Sequence, residues 1–278
     1  MQDNRQMLGI EQIHEELLDI LCRFDAFCRA HGLEYSLIAG TLLGAVRHGA
    51  FIPWDDDADV GMFRSDYNRL LSIRDQFAEE TGLCILGYAG LEPEDAPYCR
   101  IANTRIRMQQ DALERSEYLA VDLSPFDNLP TALDWTIDLY KKLAPLRLAL
   151  ATLVADPEKG RTPARRMVKR ALAPLHRSQS LKVRISRIIN NYATSVPYEC
   201  SAYVGSVAWG LGGPAERIMR TSFMVKTDIM FEGRRLMVMQ GWEEYLTSLY
   251  GGAFILDPPD FLKRDHGTKA WRIGEEDR

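Results

Sequence analysis

The chain has 278 residues, 46% of them hydrophobic, enough to bury a sizeable core as one large domain or two small ones. A formal net charge of −5 argues against a chain that binds nucleic acid by overall electrostatics. No run of about 18 uncharged apolar residues reads as a membrane span, and MQDNRQMLGIEQIHEE does not read as a signal peptide. Cys22, Cys28, Cys84, Cys99 and Cys200 show neither CxxC nor zinc spacing, so the expectation is a cytoplasmic chain with reduced thiols.

Ile10, Ile13, Leu17, Leu21, Phe24 and Cys28 recur at three- and four-residue spacing, which predicts a helix over 10–31 with Gly32 as its C-cap. Residues 34–39 read as a short strand, 41–46 as one or two turns of helix after Gly40, and 58–62 as a second strand. Ser65 is placed to cap a helix from 66 to about 80, ending near Gly82. Residues 83–88, 98–101 and 105–109 read as strands. The apolar run 119–123 holds one carboxylate, Asp122, and Pro125 and Pro130 are expected to end regular structure after it. Helices are predicted over 132–155 and 163–195, with breaks at 157–163 and Pro174. Residues 224–232 and 234–239 predict a hairpin about Glu232-Gly233, and 242–250 has helical spacing up to Gly251-Gly252. The order is α/β at the front, helical in the middle, and a hairpin plus helix at the end.

Asp55, Asp56, Asp57 and Asp59 lie within five residues. On a strand, Asp57 and Asp59 share one face about 7 Å apart, a spacing at which two carboxylates can share hard cations. Alone they would repel and tend to protonate; a bound Mg²⁺ would keep both ionised and could bridge phosphate oxygens. Gly40-Thr41, between a strand and a helix N-terminus, would let a phosphate approach the backbone. Arg47 and His48 could contact that phosphate, Pro53-Trp54 would stiffen the approach, and Asp122 is the best candidate for a third carboxylate. Two other readings compete. Four neighbouring aspartates are often a solvated turn, although Ile52, Trp54, Val60 and Met62 give core-like surroundings here. An EF-hand loop would match Asp55, Asp57 and Asp59, but Val60 stands where its turn needs Gly and Asp66 where it needs Glu.

GTLLGAVRHGAFIPWDDDADVGM, followed by Asp66-Tyr67, resembles the signature of the LicD family. Val121-Asp122-Leu123 with Pro125-Phe126-Asp127 is similar to its later acidic segment. Phe231-Glu232-Gly233, Leu249-Tyr250-Gly251, Pro258-Pro259, Arg264 and His266 resemble its C-terminal segment. The resemblance implies an α/β (α+β) nucleotidyltransferase-like mixed sheet with flanking helices and a helical insertion. It divides the chain into a catalytic core over 1–131, a basic helical insertion over 132–200, and a C-terminal hairpin and helix over 201–278 completing the core. It implies Mg²⁺-dependent transfer of a phospho-alcohol, foremost phosphocholine from CDP-choline, to a hydroxyl of a glycan or lipid-linked glycan, releasing CMP. Asp57, Asp59 and Asp122 would hold the metal, and Asp55 would join them as a catalytic residue. Gly40, Thr41, Arg47, His48 and Trp54 would lie on the substrate side. Trp54, Tyr98, Phe126 and Trp209 are candidate walls for a choline ammonium. Rival readings are nucleotide transfer from an NTP, and a non-catalytic protein that binds metal or nucleotide.

The segment 161–187 carries nine Lys and Arg and no Asp or Glu, mixed with apolar residues. It is open to three readings: a solvated helix face, a peripheral membrane contact, or a contact for an anionic acceptor.

Overall fold

The computed structural model describes residues 7–87, 96–113, 116–156, 167, 170, 174–175, 178–197, 201–210, 212–259, 263 and 267–273. Helix α1, Ile10–His31, buries Ile13, Leu17, Ile20, Leu21, Phe24 and Cys28 and ends at Gly32 in the left-handed conformation (φ 59°), as its periodicity predicts. Strand β2 keeps only Ser36–Leu37 of the expected 34–39, and helix α2 is longer than expected, Ala39–His48. Strand β3 is Asp59–Phe63. The single helix expected over 66–80 is two, α3 at Arg64–Ser72 and α4 at Arg74–Thr81. Ile73 breaks them (φ −113°, ψ 22°), and Ser65 lies inside α3 without capping it.

Strand β4 is Cys84–Gly87, and the two strands expected over 98–109 are one, β5, Cys99–Gln109, whose register shifts between Asn103 and Arg107. Strand β6 runs Glu117–Leu129, straight through Pro125, which corrects the expectation that the proline ends it. The reason is in the pairing. The Asp122 N–H bonds the Ala58 carbonyl toward β3, so by alternation Pro125 turns its missing N–H to the opposite edge. On that edge pairing with β5 stops at Leu123, and pairing with β7, Tyr203–Ser206, begins at Phe126. The proline occupies the gap.

Helix α5 is Leu133–Val154 and α6 is Gln179–Ala193; the part of the basic segment 161–187 before Ser178 lies almost wholly outside the described residues. Strand β8, Ile218–Met219, and helix α7, Arg220–Met224, lead into the hairpin of β9, Lys226–Phe231, and β10, Arg234–Met239. Glu232 and Gly233 both take positive φ (49° and 71°), the geometry of a two-residue hairpin turn. Helix α8 spans Trp242–Tyr250 as expected.

The main sheet includes β1, Met7–Leu8, and β11, Lys269–Arg272, in the order β1-β11-β5-β6-β3-β2. Strand β4 adds to β5, and β7 and β8 extend from β6. Strands β3 and β6 are parallel, and the other pairings are antiparallel, so this is a mixed sheet with flanking helices, the expected class. A large core joins α1 to the sheet, and a smaller cluster of Leu139, Tyr140, Leu143, Leu150 and Ile189 packs α5 and α6 on Val207 and Ala208. Among the described residues, no helix is long and apolar enough to cross a membrane.

Candidate functional site

The parallel register of β3 and β6 sets Asp59 beside Asp122. Both line a cavity of about 620 Å³, together with Asp55, Asp56, Asp57, Glu117 and Glu216. The one basic side chain among its described lining residues is Arg100, the cross-strand neighbour of Asp122, and it ion-pairs with Glu117.

Specific contacts position Asp59, Asp55 and Asp122. The Thr41 hydroxyl accepts the Asp59 N–H (2.8 Å), fixing the start of β3. The Asp55 N–H bonds the Ile52 carbonyl in a turn (2.9 Å), and His14 donates to the Asp55 carbonyl (2.6 Å) while stacking on Phe51. Gly40 lies inside the first turn of α2, where a Cβ would come within 2.8 Å of Asp55 Oδ2; its lack of a side chain makes room for that carboxylate. Ala39 before it sits at φ 46°, a conformation rare for a residue with a side chain. The Tyr98 hydroxyl donates to Asp122 Oδ2 (2.9 Å). Next to Tyr98, the Pro97 carbonyl accepts the side-chain amide of Asn190 on α6 (2.9 Å). Asn190 also accepts from Arg64, which forks onto the buried Asp127 of β6.

Burial, then the neighbouring Asp57, Asp122 and Asp55, hold the Asp59 carboxyl well above the usual carboxylate range. Burial lifts Asp122 to about 6, with Arg100 pulling down and Asp57 pushing up. Among the described residues, no three acidic, His or Cys groups already converge on a point that could hold a metal ion. The donor set nevertheless fits a hard cation: Asp57, Asp59 and Asp122 offer only carboxylate oxygens in one cavity, the Asp57 charge raises the proton affinity of the other two, and a divalent ion would reverse that repulsion.

The other residues expected at the site divide. Tyr98 and Trp209 line the cavity, their ring centroids 6.0 Å apart. Thr41 stands behind Asp59 rather than in the wall. Arg47 and His48 are not among the described lining residues: they sit at the far end of α2 from Ala39 and Gly40, where Arg47 donates to the Phe254 carbonyl and His48 faces Asp257 (3.6 Å). Trp54 lies outside the lining under Lys263 (4.6 Å), and Phe126 is fully buried against Phe223. Sequence reasoning missed Arg100, Glu117, Glu216 and Tyr245. Tyr250 alone had a signal, the Leu249-Tyr250-Gly251 match.

Comparison with known proteins identifies the family. Residues 32–142, a span that includes Asp55, Asp57, Asp59 and Asp122, match the family model described as LicD/FKTN/FKRP, nucleotidyltransferase domain. The chain is 30% identical over 260 residues to the lipopolysaccharide cholinephosphotransferase LicD of Haemophilus influenzae, covering 91% of this chain and 94% of that protein. It is 32% identical over 99 residues to the ribitol 5-phosphate transferase FKRP of Homo sapiens, covering 35% of this chain and 17% of that protein.

Proposed function

From the premise that the chain belongs to the LicD family, we propose that it transfers a phospho-alcohol, foremost phosphocholine from CDP-choline, to a hydroxyl of a cell-surface glycan with release of CMP. The observation that carries this reading is the pairing of Asp59 with Asp122 across two parallel strands in the floor of an acidic cavity. Asp57, Asp59 and Asp122 would hold Mg²⁺, which when bound supplies positive charge to the donor diphosphate.

The chain's own groups account for the rest. Arg100 offers N–H donors inside the cavity, and the first turn of α2 presents Ala39 and Gly40, where backbone N–H groups favour an anion. The acceptor oxygen forms its bond to phosphorus as the bond to the CMP oxygen breaks, and a cavity carboxylate takes the hydroxyl proton. The demand is for position and charge complementarity.

The test is a donor panel with Mg²⁺ and a glycan acceptor: CDP-choline, CDP-ethanolamine, CDP-ribitol, CDP-glycerol, CTP and ATP. CMP release from a CDP-alcohol is expected, lost in Asp57→Asn and Asp59→Asn at undiminished melting temperature. Wild-type-like release by either variant, or pyrophosphate from an NTP in its place, rejects the reading.

A further inference from the structure

Glu216 is a carboxylate of the cavity that stands outside the cluster assigned to the metal. It ends the short turn Gly213–Glu216 and is 7% exposed. Its Oε1 accepts the Gly212 N–H (3.2 Å) and its Oε2 accepts the Tyr245 hydroxyl (3.0 Å). No described Lys, Arg or His forms an ion pair with it. The charge that acts on it, Arg147, places its guanidinium on the carbonyls of Val207, Ala208 and Gly210. The chain folds closely around this side chain: a Cβ at Gly210 would stand 3.1 Å from Glu216 Cγ, and one at Gly212 3.1 Å from its Oε1.

Four aromatic side chains line the cavity with it. Tyr245 holds the carboxylate, and Trp209, Tyr98 and Tyr250 line the same cavity. Tyr98 joins the two ends, its hydroxyl on Asp122 and its ring 6.0 Å from that of Trp209. Tyr98 thus links the carboxylates assigned to the metal with the aromatic part of the cavity lining. A buried carboxylate without a cation is costly, and a cationic ligand would offset that cost. Ring faces add attraction for an ammonium, strongest when it is desolvated. A neutral polyol would gain neither.

We propose that Glu216, with Trp209, Tyr98 and Tyr250, forms the subsite for a cationic headgroup, so that the enzyme selects donors of ammonium alcohols over those of neutral polyols. This rests on the phospho-alcohol reading above. The competing role for Glu216 is structural, fixing the turn through Gly212 and Tyr245, and Glu216→Gln separates the two. A glutamine can accept the Gly212 N–H with its carbonyl and donate to the Tyr245 oxygen with its amide, so both contacts survive without the charge.

The experiment compares CDP-choline with the CDP ester of 3,3-dimethylbutanol, the same shape with carbon in place of nitrogen. Wild type is expected to favour CDP-choline by about tenfold or more in kcat/KM. Glu216→Gln should bring the ratio near one by lowering kcat/KM for CDP-choline far more than for the neutral donor, and Trp209→Leu should narrow it. Calorimetry of phosphocholine against 3,3-dimethylbutyl phosphate on wild type and Glu216→Gln should show the same preference and loss, whether or not turnover is seen. A wild type indifferent to the charge, or an equal loss for both donors in Glu216→Gln, overturns the subsite. If Glu216→Gln does not fold, the wild-type ratio and Trp209→Leu decide. CMP from no donor rejects the transfer reading, while the calorimetry still decides the subsite.

Discussion

Thr41→Val separates a residue that touches substrate from one that positions a catalytic group. Thr41 is 3% exposed, and its hydroxyl accepts the Asp59 N–H at 2.8 Å. Valine keeps the branched shape and removes the acceptor. The Asp59 N–H then has no partner, at a cost of about 1–3 kcal/mol in stability. Asp59 also loses the contact that fixes the start of β3, and a displacement of about 1 Å at a reacting centre can cost about 100-fold in rate. The denaturant midpoint should fall at unchanged slope, and kcat for CMP release should drop 10- to 100-fold, as rough bounds, with the donor KM little changed. Thr41→Ser, which restores the acceptor, should recover most of both. A Thr41→Val protein as stable as wild type, with KM raised and kcat intact, would refute the positioning argument and make Thr41 a substrate contact.

Gly40→Ala tests the space beside Asp55. Its Cβ would meet Asp55 Oδ2 at 2.8 Å, so the carboxylate must move, while helix propensity gains up to about 1 kcal/mol. Turnover should fall by roughly tenfold at undiminished melting temperature; unchanged turnover removes Asp55 from the machinery. Lys226, on the hairpin, gives a pH test remote from the site. Burial lowers its pKa to about 8, against the pull of Glu34 and Asp66. Between pH 8 and the ordinary 10.5 the folded chain holds fewer protons than the unfolded one, so stability rises with pH across that window, by up to roughly 3 kcal/mol from this group. Urea unfolding of wild type against Lys226→Met should show the wild type gaining relative stability from pH 8 to 10. A constant difference would mean that the ammonium is not desolvated.

The acidic cluster was legible because its signal is local: four aspartates, a strand pattern and apolar flanks in one short window. Asp122 was legible from its own apolar run, though only the parallel register of β3 and β6 brings it beside Asp59. Glu216 and Arg100 carried no local signal. Arg100 enters the cavity through its antiparallel pairing with Asp122, and Glu216 through a turn held by Tyr245 of α8. The misplaced residues have a common cause. Arg47 and His48 are close in sequence to Gly40, but the rise of about 1.5 Å per residue along α2 carries them away from it. Pro125 misled because a proline ends a strand only where its missing N–H is needed.

What keeps Asp59 and Asp122 together must act against their repulsion, and it lies in the packing along β3. A Cβ on Gly61, two residues beyond Asp59, would meet the Phe126 ring at 2.7 Å and Ile38 Cγ2 at 3.0 Å. That ring stacks on Phe223 with centroids 4.3 Å apart. A one-residue slip of β3 would turn its alternating side chains over and drive Val60 or Met62 into this contact. Register is therefore set by shape at Gly61, and the carboxylates are held where they are electrostatically least comfortable. A bound cation would relieve that repulsion without moving the strands, so binding should add its full linkage free energy to stability. Enlarging Gly61 should break the site by shifting the register, while leaving every carboxylate in the sequence.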